Sequence, residues 1–134
     1  MKSQTLKSRT IGVSINCPAS KVYDFASNLM NLPEWASGLS GSIKKIKGGW
    51  VAQSPMGKIK IKFAEKNKFG VLDHDVILEN GERFYNPMRV FPNNKGSELV
   101  FTLYKLPNMS GKAFEKDART VKKDMERLKA LLER

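Results

Sequence analysis

Apolar residues along this chain follow three successive patterns, and each predicts a different kind of element. From Thr10 to Ile15 they alternate, with Ile11, Val13 and Ile15 on one side and Thr10, Gly12 and Ser14 on the other, which is the pattern of a half-buried strand. Pro18 suits the first position of a helix, where its missing N–H is not needed, and Val22, Phe25, Ala26 and Leu29 then fall on one helical face. Pro33 ends or redirects that helix, and Pro33-Glu34-Trp35 opens a second short one ahead of the loop Ser37-Gly38-Leu39-Ser40-Gly41. From Ser42 onward the period is two. Glycine, asparagine and proline clusters at Gly48-Gly49, Ser54 to Gly57, Asn67 to Gly70, Asn80-Gly81 and Asn93 to Gly96 punctuate it, as hairpin turns between antiparallel strands do. Strands are predicted near 43–47, 50–54, 58–66, 70–78, 83–91 and 97–105. The clearest is Lys58-Ile59-Lys60-Ile61-Lys62-Phe63, apolar on one face and lysine on the other.

The last segment, Met109 to Arg134, changes to a helical period. Phe114, Ala118, Val121, Met125, Leu128 and Leu132 recur at alternating steps of four and three and form one stripe, while Lys116, Lys122, Lys123, Glu126, Arg127, Lys129 and Glu133 take the opposite side. Leu106-Pro107 breaks the last strand, Ser110 is placed to cap the helix, and Met109 to staple onto Phe114. The order is strand, two short helices, six-strand meander and long C-terminal helix, an α+β layout in which the helix must cover one face of a curved sheet.

At 134 residues the chain is expected to be one domain, 1–134, burying roughly two-thirds of its unfolded surface, with about the first eight residues flexible or poorly packed. Its 40% hydrophobic and 28% charged residues argue against disorder and fibrous classes. The opening Met1-Lys2-Ser3-Gln4-Thr5-Leu6 lacks a signal-like apolar stretch, and no apolar run approaches the ~20 residues of a membrane span, so a cytoplasmic location is expected. One cysteine, Cys17, rules out an intrachain disulfide, and with the single His74 leaves too few ligands for a Cys/His zinc site. No metal or cofactor is expected. A net charge of +11 raises the prospect of an anionic partner. Lysines dominate its largest cluster (Lys44, Lys45, Lys47, Lys58, Lys60, Lys62, Lys66 and Lys68). The arginines and exposed aromatics that read nucleic acid are not interleaved there, so a solvated outer face is expected and no specific nucleic-acid partner. Gly-x-Ser-x-Gly, phosphate-loop, Gly-x-Gly-x-x-Gly and paired-histidine motifs are all missing from the sequence.

The run Ile15-Asn16-Cys17-Pro18-Ala19-Ser20-Lys21-Val22-Tyr23-Asp24-Phe25 leading to Leu32-Pro33-Glu34-Trp35, followed by Gly70-Val71-Leu72-Asp73-His74-Asp75-Val76 and Phe84-Tyr85-Asn86-Pro87-Met88-Arg89-Val90, resembles the SRPBCC superfamily. These are the START and birch-pollen-allergen-like helix-grip proteins, and the likeness is to the small bacterial members described as polyketide cyclase or dehydrase-like. It covers nearly the whole chain. The resemblance implies a curved seven-stranded antiparallel sheet gripping the C-terminal helix, two short helices after the first strand, and a hydrophobic cavity between sheet and helix. It does not imply catalysis, because the superfamily includes lipid and hormone binders beside cyclases.

Strand alternation puts His74 on the face of Leu72, Val76 and Leu78, with Asp73 and Asp75 on the other. The neighbouring aspartates therefore do not orient its ring. A two-residue turn at Asn80-Gly81 would set His74 opposite Pro87; a three-residue loop with a glycine bulge would set it opposite Asn86 and unite Phe84, Met88, Leu72 and Val76 on one apolar face. The second register is preferred because it buries more apolar surface. His74 and Asn86 are then sparse polar groups in a greasy wall, of the kind that orients a ligand. The expected ligand-binding set is Trp35, Met56, His74, Asn86, Met88, Phe101, Phe114, Val121 and Met125, with Trp35 either lining the cavity mouth or plugging the core. Cys17 at a helix N-terminus is read as a small buried residue. Three function classes follow: a binding protein for a small hydrophobic or aromatic ligand, lipid- or polyketide-like; a cyclase/dehydrase-like enzyme with His74, helped by Asn86 or Tyr85, as acid/base; and a basic module for an acidic partner. The first is preferred. Oligomeric state is not readable from the sequence.

Overall fold

The computed structural model describes residues 4–37, 39 and 43–134. Strand β1 (Ser8–Ile15) is followed by α1 (Ala19–Ser27), a single 3-10 turn (Leu29–Asn31) and α2 (Leu32–Trp35). Then come β2 (Ile43–Ile46), β3 (Gly49–Ser54), β4 (Gly57–Phe63), β5 (His74–Leu78), β6 (Arg83–Asn86), β7 (Met88–Asn93), β8 (Gly96–Tyr104) and the long α3 (Gly111–Leu132). Of the loop foreseen after α2, residues 38, 40 and 41 lie outside the described residues. So do residues 1–3 of the N-terminal stretch.

All strand pairing is antiparallel, in the orders β1-β8-β7 and β2-β3-β4-β5-β6. The α+β layout and the covering C-terminal helix are as expected from the sequence, but the sheet is not one seven-stranded unit: it is divided into three and five strands. Pro87 marks the division. The predicted strand 83–91 breaks there into β6, which pairs with β5, and β7, which pairs with β8. Proline has no N–H to offer a ladder, and the chain changes sheets across it. The predicted strand 70–78 is shortened for the same reason, since only its second half faces β6. Its first half, 70–72, runs along the free side of β7, where Leu72 N donates to Met88 O at 2.8 Å and Val90 N to Gly70 O at 3.0 Å. Gly70 has a φ of +72°, and a Cβ there would lie 2.0 Å from Val90 O, so no other residue allows this approach.

Asp73 bridges the division. Its carboxylate accepts from Met88 N at 2.8 Å, from Tyr85 Oη at 3.0 Å, and from Arg89 Nε and Nη2 at 3.0 and 2.8 Å, while its carbonyl accepts from Ala64 N at 2.8 Å. The Arg89 guanidinium foremost, with the Met88 and Tyr85 donors, holds this carboxyl below the usual aspartate range despite its burial.

Pro18 precedes α1 as its N-cap instead of occupying its first turn, and its carbonyl accepts from Lys21 and Val22 N. Val22 and Ala26 are buried and Phe25 is half-buried, as the helical pattern requires. At the other end Ser110 caps α3 by accepting from Ala113 N at 3.0 Å. Phe114, Ala118, Met125 and Leu128 are buried along α3.

One flank of α3 is fastened to β1. Arg9 pairs with Glu115 through two bonds of 2.7 and 2.5 Å, Lys122 and Lys129 each donate to a β1 carbonyl (Gly12 and Ser14) at 2.9 Å, and Glu133 accepts from Asn16 N at 2.7 Å. Beneath this seam Ile11, Ile15, Leu99, Phe114 and Leu128 are all buried.

Candidate functional site

On its other flank α3 faces the five-stranded sheet, and there the packing is incomplete. Two cavities lie between them. The smaller, of about 190 Å³, is walled by Trp35 of α2, Ile61 of β4, His74 of β5 and Met125 of α3. The larger, of about 530 Å³, is walled by Phe84 and Asn86 of β6, Leu103 of β8, Met109 and Asp117. Val76, Phe101 and Val121 line both, so this stretch of wall, the septum, is common to the two. The alternation of β4 explains the greasy wall: Ile59 and Ile61 are buried on the inner side, while Lys58, Lys60 and Lys62 are exposed outside. All eight lysines of the basic cluster are solvent-exposed.

Hairpin register brings the polar groups to this wall. Leu78 N donates to Glu82 O at 2.8 Å and Gly81 N to Leu78 O at 3.0 Å, with Gly81 at φ +89°. This is the three-residue loop with a left-handed glycine, and it sets His74 opposite Asn86 and Val76 opposite Phe84. His74 and Asn86 are therefore cross-strand neighbours, yet His74 borders the smaller cavity and Asn86 the larger. The imidazole stacks on Phe63, with ring centres 4.5 Å apart and planes 11° apart, and meets Phe101 edge-on at 6.0 Å. Its Nδ1 lies 3.0 Å from Leu72 O. A carbonyl only accepts, so Nδ1 carries the proton and a neutral ring presents Nε2 as a bare acceptor. Burial pushes the His74 pKa down, against smaller opposing effects of the Leu72 bond and of Asp73 and Asp75, which favours that neutral form.

The remaining expected residues separate by place. Trp35 is 5% exposed, so it belongs to the core and to the cavity wall at once; its indole Nε1 is buried and has no acceptor among the described residues. Met88, Phe101, Val121 and Met125 line the smaller cavity, and Met56 lines the larger from the tip of the β3–β4 hairpin, where it is 61% exposed. Phe114 lines neither: it is 1% exposed, under Lys7 and Arg9, whose cationic heads stand 5.8 and 5.2 Å from its ring centre. Cys17 is a free thiol buried in the core.

Two residues of α3 outside the predicted apolar stripe also reach the cavities. Asp117 lines the larger and Asp124 the smaller. They stand seven residues apart with Val121 between them, at helical steps of four and three, so they share a face that borders the apolar stripe. That spacing was the available signal. Burial pushes both carboxyls up, and the Ser37 amide, donating to Asp124 Oδ1 at 3.0 Å, partly offsets this at Asp124. Among the described residues no three of histidine, cysteine, aspartate and glutamate converge as metal ligands, and no helix is long and apolar enough to cross a membrane.

No protein-family model matches the chain, and no curated protein matches it in sequence. Solved structures do match in fold. The protein KanY is 16% identical, with a TM-score of 0.75 over 98% of this chain and 100% of its own. The Bacillus halodurans protein BH1534 is 17% identical, with a TM-score of 0.74 over 96% of this chain and 98% of its own. Ara h 8.0201 is 10% identical, with a TM-score of 0.69 over 96% of this chain and 98% of its own. At such identities the likeness is one of fold, and it is consistent with a helix-grip arrangement.

Proposed function

We propose that this chain binds a small hydrophobic or aromatic ligand, lipid- or polyketide-like, between the five-stranded sheet and α3. The observation that carries this reading is the pair of cavities meeting at Val76, Phe101 and Val121. A helix-grip fold with a filled core would have no such space, since protein interiors are otherwise close-packed, and a largely apolar concavity with a few polar groups is the usual form of a ligand site. The likeness in fold to Ara h 8.0201 and KanY is compatible with this reading. Met88 and Met125 give the wall an adaptable surface. The test is a panel of fatty acids, flavonoids and polyketides examined by native mass spectrometry and thermal shift. A bound species that raises the melting temperature, and that is lost when Val121→Trp fills the septum, is expected. Failure of the whole panel to bind the wild-type protein would overturn the reading.

His74 favours a second reading, an enzyme of cyclase or dehydrase type. A neutral imidazole with its proton held on Nδ1 by Leu72 O leaves Nε2 to accept a proton from a bound substrate. This reading requires turnover that His74→Phe abolishes while leaving ligand affinity within about threefold; binding without any turnover of cyclisable polyketide substrates would exclude it.

A further inference from the structure

The most exposed large apolar side chain among the described residues lies outside both cavities, in the connection between β4 and β5. Phe69 is 82% exposed, and Phe91 of β7 is 47% exposed. Val71 bridges to Arg89 and Val90 N donates to Gly70 O, a register that sets Phe69 abreast of Phe91. Both rings, with Pro92, border one concavity against α1. A pliable loop would let such a ring fold back onto the protein and recover the hydrophobic burial it forgoes in water. Here the loop is braced. Asn67 Oδ1 accepts from Phe69 N and Val71 N at 3.0 and 3.1 Å, its Nδ2 donates to Glu65 O and Val71 O at 2.9 and 3.0 Å, and its own amide donates to the Tyr23 hydroxyl at 2.9 Å. Lys66 and Lys68 flank the ring along the chain and are exposed. Strand register places Lys62 and Lys47, at the β2–β3 tip, at the end of the five-stranded sheet from which the loop springs. The carboxylates of this region are Glu65 and, on α1, Asp24.

We propose that the 66–70 loop, with the adjoining Phe91 and Pro92, is a docking tip for the surface of an anionic lipid bilayer. Phe69 enters the layer between headgroups and acyl chains, as apolar side chains of interfacial segments do, and Lys66 and Lys68 lay their stems along it with their ammonium groups among the lipid phosphates. Phe69 is the exposed aromatic that the lysine cluster was expected to lack, so stacking on a nucleic-acid base is the rival. That mode needs a basic groove that tracks a phosphate backbone, whereas the concavity beside Phe69 is bordered by Asp24 and by no arginine. A bilayer asks only for an apolar tip in basic surroundings. None of Lys66, Lys68, Phe69 and Phe91 lines either of the two cavities beneath α3, so the docking tip stands or falls separately from the binding reading. Where both hold, docking sets the protein beside the source of an apolar ligand, because such ligands partition into bilayers.

The experiment is co-sedimentation of the full chain, at physiological ionic strength, with vesicles of equal parts phosphatidylcholine and phosphatidylglycerol and with vesicles of phosphatidylcholine alone. Partitioning onto the mixed vesicles is expected, and about tenfold less onto the neutral ones. Phe69→Ala should weaken it about tenfold, the worth of one aromatic ring taken out of water, and Lys66→Gln combined with Lys68→Gln about thirtyfold. These variants replace exposed side chains and should keep the parent's melting temperature, which separates lost docking from lost folding. Phe69→Trp should bind as tightly as the parent, and lipid brominated in its acyl chains should quench the added indole more strongly than it quenches Trp35 and Trp50 in the parent. No partitioning onto the mixed vesicles would overturn the proposal. So would partitioning that Phe69→Ala leaves unchanged, which would reduce it to diffuse attraction by the net charge of +11, or an added indole that brominated lipid does not quench. Single-stranded DNA that displaces the vesicles and depends on Phe69 would overturn it in favour of base stacking.

Discussion

The two flanks of α3 are built to different standards. Toward β1, four polar ties spaced along the helix (Glu115 to Arg9, Lys122 to Gly12, Lys129 to Ser14, Glu133 to Asn16) overlie a closed core in which Leu99 and Leu128 are wholly buried. Toward the five-stranded sheet, Asp117, Val121 and Asp124 border open space. The helix is held by one flank so that the other can stand off from the sheet. Folding free energy is gathered on the sealed side, and incomplete packing, which an ordinary core would close, is tolerated on the hollow side.

Truncation tests this contrast most severely. Leu128→Ala, on the sealed side, should cost about 3 kcal/mol by urea denaturation, whereas Val121→Ala, on the septum, should cost about 1 kcal/mol or less because the removed methyls already face space. Equal losses would mean that the cavities close in solution. Asp73→Asn probes the join between the two sheets and should cost about 2 kcal/mol, as an amide cannot keep the Arg89 pairing. Since the folded Asp73 pKa is depressed, its stabilising effect is complete above the unfolded value near 3.9 and is lost as pH falls through the folded value. The variant should therefore show a shallower acid-side decline in denaturation midpoint than the parent.

His74 gives a smaller effect at higher pH. Its folded pKa lies below its ordinary value of 6.5, so the unfolded chain binds the proton first and stability should decline as pH falls from about 6.5 toward the folded value. His74→Phe should keep the ring stack and lose that slope, as measured by midpoints across pH 5 to 7. Smallest of all is Arg9→Ala on the sealed flank. This pair is solvent-accessible, and exposed ion pairs contribute little, so its denaturation midpoint should move no more than replicate scatter, and any loss should shrink in high salt.

How far the sequence disclosed this arrangement varies with the physics involved. Periodicity exposed α3 and β4 directly, because each has one face in the core and one in water. Between the two β5–β6 registers left open it favoured the one observed, since burying Phe84 beside Val76 outweighs the turn preference of Asn80-Gly81. It failed at Pro87 and at 70–72, where pairing partners change between sheets and the alternation runs on regardless. Phe114 shows a further limit. It lies on the same stripe as Met125, but periodicity does not say which length of a helix faces packed strands and which faces space. Asp117 and Asp124 were hidden by their charge, though their spacing from Val121 placed them beside the stripe.

The lysines on the sealed flank have one more consequence. β1 is an outer strand of its sheet, and such strands offer a row of unpaired carbonyls and amides to any other extended chain. Lys122 and Lys129 occupy two of those carbonyls, at Gly12 and Ser14, with ammonium groups that repel a like-charged copy in a chain of net charge +11. The contacts that orient the helix therefore also guard the molecule against edge-to-edge self-assembly, and neutralising both lysines should show first as loss of solubility.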